Sequence, residues 1–149
     1  MLRPSLALKK AHLEMNLEKL KDARVLGDSN HFEAAFSALL SNAADAIPSG
    51  GNIRIHGSVE ATGDGEINID DNGPGIPADL QGSVFEPFFT TKTAGHGTGL
   101  GLPIARNIVE RHGGTLELKR REGGGTRATV RLPILSESGA LADAEETVA

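Results

Sequence analysis

The chain has 149 residues, a length typical of one domain with its own hydrophobic core. It contains no cysteine, which excludes disulfides, zinc–thiolate sites and thiol nucleophiles, and it has no tryptophan or tyrosine on which nucleic-acid bases could stack. The net charge is −5, and the last fourteen residues hold four acids and no lysine or arginine, so the remainder is near neutral and does not suggest a nucleic-acid surface.

Composition also divides the chain. Residues 1–9 include Pro4 and are predicted to be a linker, residues 10–135 to form one domain, and residues 136–149 to be a disordered acidic tail. No apolar run approaches the roughly 20 residues that span a bilayer, and no signal-peptide pattern is present. We therefore expect a cytoplasmic segment without membrane contact.

A strand and a long helix are predicted in the first third of the chain. Leu13, Met15 and Leu17 alternate with polar residues, which is typical of a strand. Asn30 is predicted as a helix N-cap, with Glu33 three residues later as in a capping box. The apolar residues that follow recur at helical spacing and predict one buried face. They are Phe32, Ala35, Phe36, Leu39, Leu40, Ala43 and Ile47.

A hairpin and a long loop follow the helix. Residues 52–59 and 66–70 alternate isoleucine with other residues on either side of a glycine-containing turn, which predicts two antiparallel strands. Residues 71–101 include ten Gly or Pro residues and show little periodicity. Such a long loop in a compact domain is usually functional.

The last part of the chain predicts a second helix and a second hairpin. Pro103 suits the first turn of a helix that Gly113 and Gly114 would end. Residues 116–118 and 128–132 are predicted to pair across the glycines at 123–125. The element order predicts an α+β fold, a two-layer sandwich with helices on one face of a mixed sheet.

Polar residues on the first predicted helix could line a cleft. Ala38, Asn42 and Asp45 are spaced i, i+4 and i+7, so they share a face that flanks the buried stripe. Side chains there border a cleft rather than point straight into solvent. Taken alone, Asn42 is better explained as an ordinary helix asparagine that bonds to backbone.

Two acidic residues lie at the end of the first predicted hairpin, just before a turn. Asp70 and Asp71 follow an apolar strand, and Gly73 and Gly75 have no Cβ, so another group can approach the backbone closely. A carboxylate at this strand end could accept a hydrogen bond from an exocyclic amine such as that of adenine. Asp-Asn-Gly is also ordinary turn chemistry, and these residues alone leave both interpretations open.

A glycine-rich segment leads into the second predicted helix. Residues 95–101 place glycine at every second position just before Pro103. Helix N-termini offer free N–H groups and the positive end of the dipole, which together attract phosphate, and the alternative of a flexible hinge is the weaker interpretation. Lys92 lies upstream, within reach of phosphates if the loop folds over; without that loop it would be read as a solvated lysine.

Two other nucleotide motifs are excluded. The chain has no G-x-x-x-x-G-K-[ST] segment, so it is not a P-loop protein. Residues 73–78 formally match G-x-G-x-x-[GA], but Pro77 and the lack of a periodic helix after it do not suit the βαβ unit of a Rossmann site.

Four segments in this order resemble the motif set of sensor histidine kinases. They are residues 39–46 (LLSNAADA), 71–76 (DNGPGI), 85–92 (FEPFFTTK) and 97–102 (GTGLGL). Each is weak alone, but four in this order and spacing are specific. Over about residues 10–135 the chain is similar to the GHKL ATPases, which also include gyrase, Hsp90 and MutL. The form of the third segment resembles most the nitrogen-regulator and dicarboxylate-sensor kinases.

The resemblance implies a Bergerat fold, in which ATP lies between the first helix and a mobile lid formed by residues 77–98. It implies that Asn42 is the ligand of a Mg²⁺ ion bridging the phosphates and that Asp71 bonds the adenine amino group. Gly73 and Gly75 would form the wall near the base. One asparagine oxygen plus phosphate oxygens suits Mg²⁺, which prefers oxygen ligands and retains waters.

The resemblance also supplies a full set of implied ATP-binding residues, in which phenylalanines pack the lid and Thr91 or Lys92 lies near the phosphates. Asn42 and Lys92 would be catalytic. The implied ATP-binding residues are Asn42, Asp45, Asp71, Gly73, Gly75, Ile76, Phe85, Thr91, Lys92, Gly97, Thr98, Gly99, Leu100, Gly101 and Leu102.

The activity implied is transfer of the γ-phosphate to a histidine, by positioning and charge neutralisation. The acceptor motif of the family places an acid directly after that histidine, and none of the five histidines here has one. We therefore expect the acceptor on a dimerisation domain outside this sequence or on another chain. A response regulator would be an indirect partner, and no nucleic-acid partner is expected.

Ala38 departs from the family pattern, which often has Asn there, or Glu as the water-activating base of the ATPase relatives. Its small side chain argues against vigorous ATP hydrolysis. Two other functions stay open: a serine kinase of the anti-sigma-factor type, and a module that binds nucleotide or a partner without chemistry. The FEPFF segment favours the histidine kinase over the first, and Asn42 with the complete second glycine cluster argues against the second.

Overall fold

A computed structural model describes residues 11–75 and 101–135. Within these ranges five strands form one sheet in the order β1-β2-β3-β5-β4. β1 pairs with β2 in parallel and the other three pairings are antiparallel, so the sheet is mixed, as predicted. The strands are β1 His12–Asn16, β2 Asn52–Val59, β3 Asp64–Asp71, β4 Thr115–Arg120 and β5 Thr126–Pro133. The predicted linker, lid and tail lie outside the described residues.

Two α-helices complete this architecture. Helix α1 spans Ser29–Ala46 and helix α2 spans Gly101–Arg111, and a short 3₁₀ turn at Glu18–Leu20 follows β1. The helices pack against each other, α1 against β3 and α2 against β4, which confirms the predicted sandwich. Neither helix in the described ranges has the length and apolar character needed to cross a membrane.

The start of α1 corrects one prediction. Asp28 is the N-cap, and its carboxylate accepts a hydrogen bond from the Asn30 N–H at 2.8 Å, so the prediction of Asn30 as N-cap was wrong. Both side chains can cap, but the carboxylate is the stronger acceptor at the positive end of a helix dipole. The helix ends as predicted, because Pro48 keeps the preceding Ile47 out of the helical region and in an extended conformation.

The predicted apolar face of α1 forms the centre of the core. Ala35, Leu39, Ala43 and Ile47 are between 0% and 3% exposed. Phe32, Phe36 and Leu40 are partly buried against them. The helix-covered side of the sheet and helix α2 supply the rest of the core: Ile53, Ile55, Ile69, Ala105, Val109, Leu116, Leu118, Ala128, Val130 and Leu132.

The end of α2 confirms the predicted glycine cap. Gly113 has φ +84°, and its N–H donates to the Glu110 carbonyl at 3.0 Å. The Gly114 N–H donates to the Val109 carbonyl, also at 3.0 Å. These bonds satisfy carbonyls that a helix end leaves without partners. The chain can then turn directly into β4.

The pairing register places two neighbouring acids on opposite sides of the sheet. Asp71 lies opposite Ile53 on one side and Thr126 on the other, so its side chain is on the helix-covered face. Asp70 lies opposite Arg127 in the next row, where side chains point to the other face. A single strand therefore sends one acid towards the helices and one away from them.

The loop between β4 and β5 offers a matched test of backbone geometry. Gly123 and Gly125 both have φ near +90°, a left-handed conformation that disfavours other residues. A Cβ on Gly123 would meet open space, whereas one on Gly125 would overlap the carbonyl oxygen of Asp71.

We predict that Gly125→Ala lowers the free energy of unfolding by about 3 kcal/mol, because left-handed strain and steric overlap combine. Gly123→Ala should cost only about 1 kcal/mol, from the strain alone. Urea unfolding followed by far-UV circular dichroism measures both. Equal losses for the two variants would contradict the close approach of Gly125 to β3.

Candidate functional site

The end of β3 contacts the last turn of α1 through a glycine. A Cβ on Gly73 would lie 2.6 Å from the carbonyl oxygen and 3.2 Å from the Cβ of Ala46, so no larger residue fits. Asn42 lies one helical turn before Ala46 and on the same face. The contact therefore brings the helix turn that follows Asn42 close to the end of the strand that carries Asp71.

The start of α2 borders the same face of α1. A Cβ on Gly101 would lie 3.6 Å from the Cβ of Ala38, which is ordinary van der Waals contact. Ala38 lies one turn before Asn42, so Asn42 is flanked by the α2 N-terminus on one side and the β3 end on the other. Its side chain is partly buried there. Because Ala38 is small, the α2 N-terminus can lie close to α1.

The Asp71 carboxylate is held by backbone. Its Oδ1 accepts hydrogen bonds from the Gly73 N–H at 2.9 Å and the Thr126 N–H at 3.3 Å. Both bonds go to the same oxygen, Oδ1. Burial raises the pKa of Asp71 above its ordinary value, and the two N–H bonds and the charge of Arg121 offset only part of that effect. The site thus contains a carboxylate whose orientation is fixed by main-chain donors.

The neighbouring Asp70 is fully paired on the opposite face of the sheet. Arg127 donates through Nε and Nη2 to its two oxygens at 2.7 and 2.8 Å, and His56 Nε2 lies 3.0 Å from Oδ2. Burial would raise the pKa of Asp70, but the hydrogen bonds from Arg127 and His56 and the charges of Arg127 and Arg121 outweigh it and lower this pKa. Asp70 is therefore a structural ion-pair partner.

The described structure brings together only part of the predicted site. Asn42, Asp71 and Gly73 lie around the α1–β3 contact, and Gly75 packs its Cα against the Gly125 carbonyl. Asp45 is exposed on α1, next to the Asn42 face. Gly101 and Leu102 open helix α2, where Leu102 packs partly buried against the core. The other predicted positions lie outside the described residues: Ile76, Phe85, Thr91, Lys92, Gly97, Thr98, Gly99 and Leu100.

Comparison with known proteins identifies the family of this chain. Residues 27–136 match the family described as histidine kinase-, DNA gyrase B- and HSP90-like ATPase. The chain belongs to this family. The matched residues include both described helices and all strands but β1, so the assignment covers the whole corner built by α1, β3 and the start of α2.

Relatives within the family include sensor histidine kinases. The chain is 39% identical over 117 residues to sensor histidine kinase TmoS of Ectopseudomonas mendocina, covering 76% of this chain and 12% of TmoS. It is 40% identical over 110 residues to sensor histidine kinase ZraS of Escherichia coli O157:H7, covering 74% of this chain and 23% of ZraS. The chain thus spans less than a quarter of the length of these relatives.

Solved structures of histidine kinases share the fold. The mycobacterial sensor histidine kinase MprB superposes with a TM-score of 0.74 at 31% identity, covering 89% of this chain and 91% of that one. The catalytic domain of histidine kinase ThkA gives a TM-score of 0.73 at 30% identity, covering 89% of both chains. The ThkA structure is that of a catalytic domain, and the superposed region covers the same share of that chain and of this one.

Sequence reasoning missed the contribution of the β4–β5 loop. It treated the glycines at 123–125 as a plain hairpin turn, yet Gly125 lies against Asp71, and the Arg121 Nη1 donates to the Asp71 carbonyl at 3.0 Å. Arg121 is fifty positions from Asp71. No local spacing rule links residues that far apart, so only the β3–β5 pairing reveals the contact.

Asp70 generates a prediction of pH-dependent stability. Because its folded pKa is below the ordinary value of 3.8, its contribution is present above that pH and is lost as pH falls through the folded pKa. Asp70→Asn should cost about 2 kcal/mol of unfolding free energy at about pH 7, since it leaves a charged donor without its full partner.

The difference in unfolding free energy between Asp70→Asn and the wild type should narrow as the pH falls below 3.8, because the wild-type carboxyl protonates as the pH passes through its lowered pKa. Urea unfolding at neutral pH and at acidic pH below 3.8 measures this difference, with Asp22→Asn as the control at an exposed residue. A loss that does not change with pH would argue against an ionised, paired Asp70.

Proposed function

We propose that this chain is the ATP-binding catalytic domain of a sensor histidine kinase. It binds Mg-ATP and transfers the γ-phosphate to a histidine on a dimerisation domain of the same or another kinase chain. The response regulator is an indirect partner, and the domain works in the cytoplasm. The narrower assignment to nitrogen-regulator-like or dicarboxylate-sensor-like kinases rests on the FEPFFTTK segment alone and stays a prediction.

The observation that carries the proposal is the packing of the β3 end on α1. Gly73 contacts Ala46, one turn from Asn42, so this contact supports a site that the Asn42 amide and the Asp71 carboxylate would share. The N-terminus of α2 lies beside Ala38 on the other side of Asn42. In the proposed binding mode the adenine lies at Asp71, and the phosphates lie near Asn42 and the N-terminus of α2.

The chemistry of Asp71 suits the adenine amino group. Its Oδ1 is engaged by two backbone N–H groups, so the Oδ2 atom remains to accept from a ligand. The pairing register fixes the carboxylate on the helix-covered face, and its side chain is only 4% exposed. Such an acceptor discriminates against a ligand without the matching donor, because binding of that ligand would exclude water and leave the acceptor unpaired.

The phosphate end of the proposed site combines an oxygen ligand with a helix N-terminus. The Asn42 amide oxygen would hold Mg²⁺ together with phosphate oxygens, which is the donor set this ion prefers. Mg²⁺ would neutralise the phosphate charge. The α2 N-terminus, beginning at Gly101, would present N–H groups to the same phosphates, with Thr91 and Lys92 from the predicted lid nearby.

Phosphoryl transfer requires little covalent chemistry from the protein that binds the nucleotide. The domain orients the γ-phosphate, keeps its charge compensated and presents it to an acceptor. In this proposal the acceptor is an imidazole outside the chain, because no histidine here is followed directly by an acid, and two of the described histidines already have partners. His56 pairs with Asp70, and His112 bonds the Ile108 carbonyl and the Asp28 N–H.

A phosphotransfer assay tests this function. The chain is mixed with radiolabelled Mg-ATP and a histidine-bearing dimerisation domain, and the protein is then treated with acid. We expect label on the dimerisation domain that acid removes, as for phosphohistidine. Acid-stable label on serine would favour the serine kinase alternative. Nucleotide binding without any transfer would favour a non-catalytic module.

Two substitutions test the residue assignments. Asn42→Asp puts a charge next to the phosphates, and Asp71→Asn replaces an acceptor with a group that can present a donor. Each is expected to reduce ATP affinity by about 100-fold or more in calorimetry. The fold should survive, since an asparagine oxygen at position 71 can still accept from Gly73 and Thr126.

Asn107→Asp is the matched control, because Asn107 is exposed on α2 and is not assigned to the site. It should bind ATP like the wild type. Wild-type affinity in both Asn42→Asp and Asp71→Asn would overturn the site assignment, even if the chain proved to be a kinase.

A further inference from the structure

The β4–β5 loop contacts the end of β3 at the backbone carbonyl of Asp71. Gly125, with φ +91°, lies against the Asp71 carbonyl oxygen. The same oxygen accepts a hydrogen bond from Arg121 Nη1 at 3.0 Å. The Arg121 N–H also donates to the Gly125 carbonyl at 2.8 Å, which closes the loop. The guanidinium and the glycine therefore act on Asp71 as parts of one unit.

Arg121 also reaches the opposite face of β3. Its Nε lies 4.0 Å from Oδ2 of Asp70, the acid that Arg127 and His56 already hold. The guanidinium thus joins the backbone of Asp71 to a fixed anion. Two anchoring points limit the rotation of the peptide that carries the Asp71 side chain.

Charge and exposure distinguish Arg121 from a core residue. Its positive charge favours the ionised Asp71 carboxyl, whereas the adjacent Asp70 disfavours it. The side chain is 32% exposed, so its removal leaves no large cavity. A substitution at Arg121 should therefore change the Asp71 carboxylate more than the stability of the fold.

We propose that Arg121 is a positioning residue for base recognition, holding the Asp71 carboxylate in the orientation that receives the adenine amino group. The inference rests on the proposed function, because Asp71 must be the group that contacts the base. Arg121 itself does not touch the nucleotide in this assignment. It acts through the Asp71 carbonyl and through its charge.

The test uses ATP and purine riboside 5′-triphosphate, which differs by lacking the 6-amino group. Calorimetry gives the dissociation constants of both, and their ratio measures recognition of that amino group alone. In Arg121→Ala we expect the ratio to fall by about tenfold relative to the wild type, the size of one charge-assisted hydrogen bond. The affinity for the purine analogue should stay within about twofold.

Arg131→Ala is the matched control. Arg131 lies in the same sheet, and 34% of its side chain is exposed. Its ion-pair partners are Glu60, Glu66 and Glu117 and do not include Asp70 or Asp71. Its removal should leave the ratio unchanged. Arg121→Lys keeps a cationic donor and should recover part of the ratio. Far-UV circular dichroism establishes that each variant is folded.

The outcomes separate the two levels of the argument. An Arg121→Ala protein that loses affinity equally for both nucleotides, or that keeps the wild-type ratio, overturns the positioning role while the proposed function stands. A wild-type protein that binds both nucleotides equally shows instead that Asp71 does not read the amino group. That result would overturn the base-recognition assignment, and the role of Arg121 with it.

Discussion

Two close backbone contacts, at Gly73 and Gly125, hold Asp71 between helix α1 and the β4–β5 loop. Gly73 packs on the carbonyl of Ala46, and Gly125 packs on the carbonyl of Asp71 itself. Neither contact tolerates a Cβ, so the spacing of α1 from β3 and of β3 from the loop is set by main-chain atoms. The direction of the carboxylate and its distance from Asn42 depend on that spacing.

The acids at positions 70 and 71 are neighbours in the chain with opposite electrostatics. Strand alternation turns Asp70 to the uncovered face, where Arg127 and His56 lower its pKa, and turns Asp71 to the helix side, where burial raises its pKa. The first acid stabilises the sheet through pairing. The second accepts from two backbone N–H groups at one oxygen, which fixes its orientation for ligand recognition. Arg121 connects the two across β3.

The small residue at position 38 fits the proposed activity. Ala38 lies beside the start of α2 and carries no base that could activate water. A domain that passes phosphate to a histidine benefits from a cleft without such a base, since hydrolysis would compete with transfer. Catalysis then rests on how α1, β3 and α2 orient the nucleotide rather than on a nucleophile or base in this chain.

The strands, the two helices, the sandwich, the apolar face of α1 and the family could be predicted from sequence, because they depend on local periodicity and on motifs within short segments. Residues 52–59, for example, alternate isoleucine with other residues, and the strand there has those bounds. The N-cap of α1 was not predicted correctly, since Asp28 and Asn30 both suit that position and the carboxylate of Asp28 is the group that caps the helix.

The residues that meet at Asp71 are distant in sequence, and long-range pairing and packing bring them together. The pairing of β3 with β5 brings Thr126 and the Arg121 loop to a carboxylate more than forty positions earlier, and the packing of β3 on α1 brings Asn42 near it. A turn with three glycines looks the same in sequence whether it faces solvent or a site. Its role follows from long-range strand pairing, which no local pattern encodes.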